Sequence, residues 1–272
     1  MSSRTKHILW WVFAILFTLS IAVYQRLTGP TYPKRVKVEL GGETYKLKLL
    51  RSCGEKNAEV KITVAPKTIG GNIVYRRLNS GEAWTETTML RDGNNLIGYL
   101  PQQPPAGKLE YKVFLTRDLE QVAVTEEPVI IRFKGDVPAW VLVPHIFFMF
   151  MAMLFSTRSG IEALRKGEKT FNYTTITLAS LVIGGAILGP LVQRYAFGAF
   201  WAGWPLGVDL TDNKTVVALV VWFIAFFQSY RNSEKRGWVI AASVILLVVY
   251  LVPHSLLGSQ LDYNTGQIVT GK

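Results

Sequence analysis

Two histidines at the edges of apolar segments are the residues whose type and spacing could carry chemistry. The order Leu-Val-Pro-His occurs at 142–145 and again at 251–254, which places His145 early in one apolar segment and His254 at the end of another. Two histidines from different helices could bind haem b axially, or could hold a metal ion together with Asp209 or Asp212. The two histidines would lie at different depths in the membrane. At about 1.5 Å per residue, His145 would lie about 10 Å below the start of its helix, whereas His254 follows the end of the other helix. A redox or metal-handling site is therefore the alternative, and no cofactor is favoured.

Other catalytic signatures are absent from the 272 residues. The one cysteine, Cys53, excludes an internal disulfide framework and any multi-cysteine metal centre. No Walker, nucleophile-elbow, His-Glu-x-x-His or Cys-x-x-Cys pattern occurs. An enzyme would depend on the two histidines, Asp209, Asp212 and Asp262, whose spacing indicates no reaction. Carriers also fit poorly, since no charged residue is expected in the middle of a membrane segment. The sequence thus favours a non-catalytic protein.

Apolar segments long enough to approach the thickness of a bilayer define the class of protein. The mean hydropathy is +0.23 and 49% of the residues are hydrophobic. Candidate membrane segments occur at 8–24, 139–155, 174–192, 216–230 and 238–252. The first could be a cleaved signal peptide, but its aromatic centre favours a retained anchor over residues 1–29. The sequence predicts an anchor helix followed later by a four-helix transmembrane domain over 137–256.

The distribution of lysine and arginine predicts the orientation in the membrane. Basic residues are concentrated before the first segment and in the connections at 157–173 and 231–237. These regions should be cytoplasmic. Residues 30–136 and the tail at 257–272 are then extracytoplasmic. Much of the net charge of +11 serves as this orientation signal, so no nucleic-acid partner is implied.

Period-2 alternation of apolar and polar residues predicts strands in the region 30–136. Examples are 36–40, 45–49, 60–64 and 111–115, and turn signals occur at 41–42, 70–72, 92–95 and 104–107. This spacing indicates an antiparallel β-sandwich. The stretch 75–111 resembles fibronectin type III or immunoglobulin-like domains of bacterial exported proteins, and the whole chain resembles uncharacterised multi-pass membrane proteins of bacteria. These resemblances imply a periplasmic binding or spacing domain and a bacterial cytoplasmic membrane. The charged strand residues are expected to face solvent.

Two features of the predicted membrane domain suggest contacts. Gly185 and Gly189 form a small-xxx-small pair that favours close helix packing, either within the chain or with another subunit. The connection at 194–214 is rich in aromatic residues suited to the membrane interface, and it could alternatively form a docking surface. Its aromatic members are Tyr195, Phe197, Phe200, Trp201 and Trp204. Thr211 or Asp212 is expected to cap the following helix.

These observations lead to one expected function. The chain is expected to be an integral membrane accessory or scaffold subunit that binds a membrane or periplasmic protein through the β-sandwich and the aromatic connection. Its other partner is the lipid bilayer itself.

Overall fold

A computed structural model describes residues 2–253 and 258–270 and shows a mixed protein of apolar helices and mainly antiparallel sheets. Helices cover the five segments that the sequence predicted to lie in a membrane, apart from the last residue of the fifth segment. The helices are α1 (Ser3–Thr28), α2 (Ala139–Leu164), α3 (Thr170–Leu181), α4 (Gly189–Phe197), α5 (Leu210–Arg231) and α6 (Arg236–Leu251). A π-helical segment, Val182–Leu188, joins α3 to α4 without a break.

The lengths of these helices fit association with a membrane. Within the described residues, four helical stretches are long and apolar enough to cross one: α1, α2, the continuous stretch Thr170–Phe197, and α5. The helix α6 is equally apolar but has only 16 residues. His254, which follows it, lies outside the described residues.

The strands between α1 and α2 form three sheets. A hairpin pairs β1 (Lys34–Leu40) with β2 (Glu43–Leu49). A three-stranded sheet has the order β4 (Ala58–Thr63), β8 (Asn95–Leu100), β7 (Leu90–Asp92). The largest sheet has the order β3 (Ser52–Cys53), β11 (Val129–Phe133), β9 (Lys108–Arg117), β5 (Ile69–Arg77), β6 (Thr85–Thr88), with β10 (Glu120–Ala123) also paired to β9. The pairing of β3 with β11 is parallel. A separate hairpin, β12 (Ser259–Leu261) with β13 (Ile268–Thr270), follows α6.

A shared hydrophobic core holds these three sheets together as one unit, here called the β domain (residues 34–133). Alternate residues of each strand point into it, among them Leu47, Ile62, Leu96, Leu115 and Phe133. This is the alternation expected when one face of an antiparallel sheet is buried. The four strands predicted from it all occur.

One predicted turn is wrong, because residues 70–72 lie inside β5. Gly71 faces the core there, and an added Cβ would lie 3.1 Å from Leu96 Cδ1 and 3.2 Å from Met89 Sδ. A glycine within a strand permits such close approach of another element. The glycine at position 71 therefore reflects packing between sheets.

The helices pack around Trp222 of α5, whose side chain is fully buried. Small residues belong to the same cluster: Ala218 and Ala225 of α5 itself, Ala152 and Ala163 of α2, and Ala242 of α6. Glycines bring other helices close, and a Cβ on Gly184 would lie 2.9 Å from Phe148 Cβ. Small residues at such contacts allow helix backbones to approach.

We expect Trp222→Ala to destabilise the helices strongly, because it empties a large buried volume; the typical cost is about 3–5 kcal/mol. Trp222→Phe should cost less, since it keeps an aromatic ring and removes a buried Nε1–H that has no hydrogen-bond partner in the described structure. Thermal unfolding midpoints of the detergent-solubilised variants measure the difference. Equal midpoints for both variants would contradict this packing.

The connection between α2 and α3 differs from the predicted basic loop. The helix α2 continues to Leu164, and Arg158 inside it is completely buried. Its guanidinium donates to Glu162 Oε2 at 3.2 Å and lies over the rings of Trp11 and Tyr173 at 5.1 and 5.2 Å. Arg158 is therefore a packing residue that joins α1, α2 and α3.

Candidate functional site

The β domain is attached directly to the helices where β11 leads into α2. The backbone N–H of Gly135 donates to the carbonyl of Ala196 in α4 at 2.9 Å. An added Cβ on Gly135 would collide with the carbonyl oxygen of Tyr195. The guanidinium of Arg132 lies 5.4 Å from the centre of the Phe197 ring. Thus the end of β11 rests against the end of α4.

The hairpin β12–β13 makes a second attachment between the two parts. Its Leu261 N–H donates to the carbonyl of Ala106 in the β domain at 3.0 Å. Lys108 Nζ donates to Gln260 Oε1 at 3.1 Å, and both residues are buried. On the helix side, Ser259 donates to Asp209 Oδ2 through its N–H at 2.9 Å and its hydroxyl at 3.2 Å. The hairpin therefore clamps the β domain to the start of α5.

The start of α5 is capped by Asp209, so the prediction of Thr211 or Asp212 as the cap is wrong. Asp209 Oδ1 accepts from the N–H groups of Thr211 at 2.8 Å and Asp212 at 3.4 Å. A carboxylate in this position satisfies free N–H groups of the first turn and complements the helix dipole. Asp212 instead accepts from the N–H of Ala202 at 2.6 Å and from Gln193 Nε2 at 3.0 Å. It fixes the aromatic connection.

The predicted aromatic connection is part helix and part loop. Tyr195 and Phe197 belong to α4, whereas Phe200, Trp201 and Trp204 follow it. Trp204 is 74% exposed, and Trp201 Nε1 donates to its carbonyl at 3.1 Å. The loop thus combines an outward apolar surface with an inner side that is fixed to α5.

A cavity of about 680 Å³ lies between the β domain and the helices. Three of the four predicted ligand residues, His145, Asp209 and Asp212, line it. The predicted packing and aromatic residues on its wall are Gly185, Gly189, Phe197 and Trp201. Its size falls within the range of roughly 300–1,000 Å³ that is usual for ligand sites. This cavity is the candidate site.

Within the helices, His145 also lines a smaller cavity of about 150 Å³. Its Nδ1 donates to the carbonyl of Gly184 at 2.9 Å, in the π-helical segment. Met149 and Met153, one and two turns further along α2, line the same small cavity. Among the described residues, no three His, Cys, Asp or Glu side chains come together as a metal site.

Comparisons with protein-family models, with curated proteins and with solved structures find no match to this chain.

Sequence reasoning missed Lys108 and Arg132, which are 9% and 7% exposed. Both are on strands whose charged residues were expected to face solvent. The hairpin β12–β13 and α4 cover these two side chains. No local sequence pattern in the β domain predicts this burial. Burial lowers the pKa of Lys108 to about 8, an effect that nearby Arg132 increases and Asp209 opposes. Burial also lowers the pKa of Arg132, and Asp209 again opposes it.

We expect stability to rise with pH above about 8 because of Lys108. The pKa of this amine is 10.5 in the unfolded chain and about 8 in the folded protein. The unfolded state therefore binds more protons between these values, and stability increases as pH rises. Tyr263 acts oppositely at higher pH, because burial raises its pKa from 10.0 to about 12.

Unfolding midpoints between pH 8 and about pH 9.5 test this linkage. Lys108→Met should flatten the rise, whereas Lys37→Met, on an exposed position of β1, should leave it unchanged. An identical slope in wild type and Lys108→Met would show that this amine is not the group responsible.

Proposed function

We propose that the protein is a non-catalytic accessory or scaffold subunit of a bacterial cytoplasmic membrane. In this proposal the N-terminus is cytoplasmic, and the β domain is an immunoglobulin-like or fibronectin-like sandwich that binds a membrane or periplasmic protein outside the membrane. The asymmetry of basic residues and the three sheets around one core support this arrangement.

The observation that carries the proposal is the direct attachment of the β domain to the helices. A domain that only needed retention at the membrane could hang on a flexible linker. Here Gly135, Asp209 and the hairpin β12–β13 fix it to the helices through buried hydrogen bonds. Such seating keeps a binding surface at a set height and orientation above the bilayer. Positioning a partner is the task that this geometry suits.

Orientation is tested with a single-cysteine reporter. In a Cys53→Ser background, cysteine replaces either Ser233, between α5 and α6, or Leu119, which is fully exposed on the β domain. A membrane-impermeant maleimide applied to spheroplasts should label the Leu119 variant at once and the Ser233 variant only after lysis. Labelling of Ser233 from outside would overturn the orientation.

The scaffold function is tested by purification from the native membrane in mild detergent, with mass spectrometry of what remains bound in near-equal amount. A stoichiometric partner that is retained by Gly70→Ala and lost from Gly135→Ala would support a role for the fixed seating. A chain that purifies alone at its own mass would contradict a scaffold function.

Metal handling is the second candidate, and one arrangement favours it. The bond from Nδ1 of His145 to a backbone carbonyl leaves the neutral ring with its lone pair on Nε2, as is usual in metal-binding histidines. Met149 and Met153 supply thioethers on the same face of α2, and soft sulfur ligands select Cu(I). In this alternative the methionines take the place of His254 and the aspartates as ligands.

Metal analysis of the purified protein tests the metal-handling function. Protein purified from copper-supplemented cells should contain copper, and Met149→Leu with Met153→Leu should lose it while keeping the fold. An absorbance spectrum of the same sample tests for haem b, and a Soret band that vanishes in His145→Ala would support the original haem alternative. Absence of both copper and haem would eliminate this function.

A further inference from the structure

The cavity between the β domain and the helices contains a buried cation without a matching hydrogen-bond acceptor. Arg132 on β11 is 7% exposed and lines the cavity. Its Nη1 has no hydrogen-bond partner among the described residues. Burial of a charged group is costly unless the group is paired. This guanidinium is therefore suited to receive an acceptor from outside the chain.

The carboxylates nearby already accept other hydrogen bonds. Asp209 accepts from Thr211, Asp212 and Ser259. Asp212 accepts from Ala202 and Gln193. No ion pair of either aspartate with a lysine or arginine occurs within 4 Å in the described structure. The positive charge of Arg132 is thus neutralised only from a distance.

Further cations line the same cavity. They are Arg26 at the end of α1, Arg51 beside β3, and Lys134 after β11. Together with Arg132 they bring positive charge from three parts of the chain to the lining of one cavity. Among the described residues, the carboxylates that line the cavity are Asp136, Asp209 and Asp212. Arginine is the side chain best suited to bind phosphate oxygens in pairs.

We propose that this cavity binds a phosphate group, with Arg132 as its principal ligand and Arg51 and Lys134 as supporting cations. The lining of the cavity also includes the apolar residues Leu142, Gly189 and Pro190. A phosphate ester with an apolar substituent would match both the cationic and the apolar residues of this lining. The group comes either from the headgroup of an anionic lipid or from a soluble phosphate. This site is independent of the protein partner proposed above.

The test uses the full-length protein in nanodiscs. Native mass spectrometry of nanodiscs containing equal phosphatidylglycerol and phosphatidylcholine reports which lipid stays bound, and titration with inorganic phosphate in detergent reports a soluble ligand. Arg132→Met should weaken whichever phosphate group binds by about tenfold or more, since a charge-assisted hydrogen bond contributes about 1.5–3 kcal/mol. The matched control is Lys37→Met, which removes an exposed cation outside the cavity.

The outcomes separate the sources. Selective retention of phosphatidylglycerol that is lost in Arg132→Met assigns a lipid headgroup, and saturable phosphate binding that is lost in the same variant assigns a soluble ligand. Arg132 forms no ion pair within 4 Å in the described structure, so Arg132→Met leaves no partner charge uncompensated and this variant should fold. Arg51→Gln provides a second variant with a smaller expected loss. Equal binding of both probes by wild type and Arg132→Met would overturn the proposal.

Discussion

Gly135→Ala is expected to release the β domain from the helices. The new Cβ would occupy the space of the Tyr195 carbonyl oxygen, a backbone atom that cannot rotate away. The backbone at residue 135 must move away from α4, so the hydrogen bond from Gly135 to Ala196 is also lost. Overpacking of this kind typically costs about 1–3 kcal/mol, and the lost bond adds to it. Limited proteolysis of the segment 134–138 should become much faster.

Gly70→Ala is the matched control, because it adds the same methyl group to a glycine of the β domain that has free space around it. Gly70 is exposed on β5, and nothing lies within 4 Å of its Cβ position. It should digest like wild type. If Gly135→Ala also digests like wild type and keeps its unfolding midpoint, the β domain does not rest on α4 as described.

Asp209→Ala is expected to be the most destabilising of the polar changes, by about 2–4 kcal/mol. About 1 kcal/mol comes from the lost helix cap and about 1–3 kcal/mol from the donors of Ser259 left buried without an acceptor. The removal also takes away the carboxylate that faces Lys108 and Arg132. Thermal unfolding and hydrogen exchange of the amide of Ser259 measure the two contributions separately.

Asp209→Asn distinguishes the capping of α5 from the attachment of the hairpin β12–β13. An amide keeps one acceptor oxygen, which can cap α5 or accept from Ser259, but cannot replace both carboxylate oxygens. Its loss of stability should therefore lie between wild type and Asp209→Ala. An alanine variant with unchanged Ser259 exchange would mean that the hairpin β12–β13 is held by other contacts.

Local periodicity was sufficient to predict the apolar helices and four of the strands. The apolar segments became helices and the alternating segments became strands, because each pattern reflects one buried face within its own element. The error at 70–72 arose because a glycine pair has two possible causes, a turn or a close contact between sheets. Only the neighbours of Gly71, which are distant in sequence, distinguish them.

The site was less predictable because its chemistry arises between elements. His145, Asp209 and Asp212 were identified from residue type, and all three line the cavity. Asp209 was not recognised as the cap, since Thr211 and Asp212 are equally acceptable cap residues in sequence. Lys108 and Arg132 resemble ordinary exposed strand charges, and only the docking of the β domain buries them.

Rigid seating of the β domain on the helices is the central claim, and one distance measurement tests it most directly. Spin labels at Leu119 of the β domain and Leu206 of the aromatic connection, both exposed, are introduced into a Cys53→Ser background and the protein is placed in nanodiscs. Double electron–electron resonance should give a single narrow distance distribution, which broadens in Gly135→Ala. A broad distribution in the otherwise unchanged protein would contradict the fixed attachment of the β domain and the cavity between it and the helices.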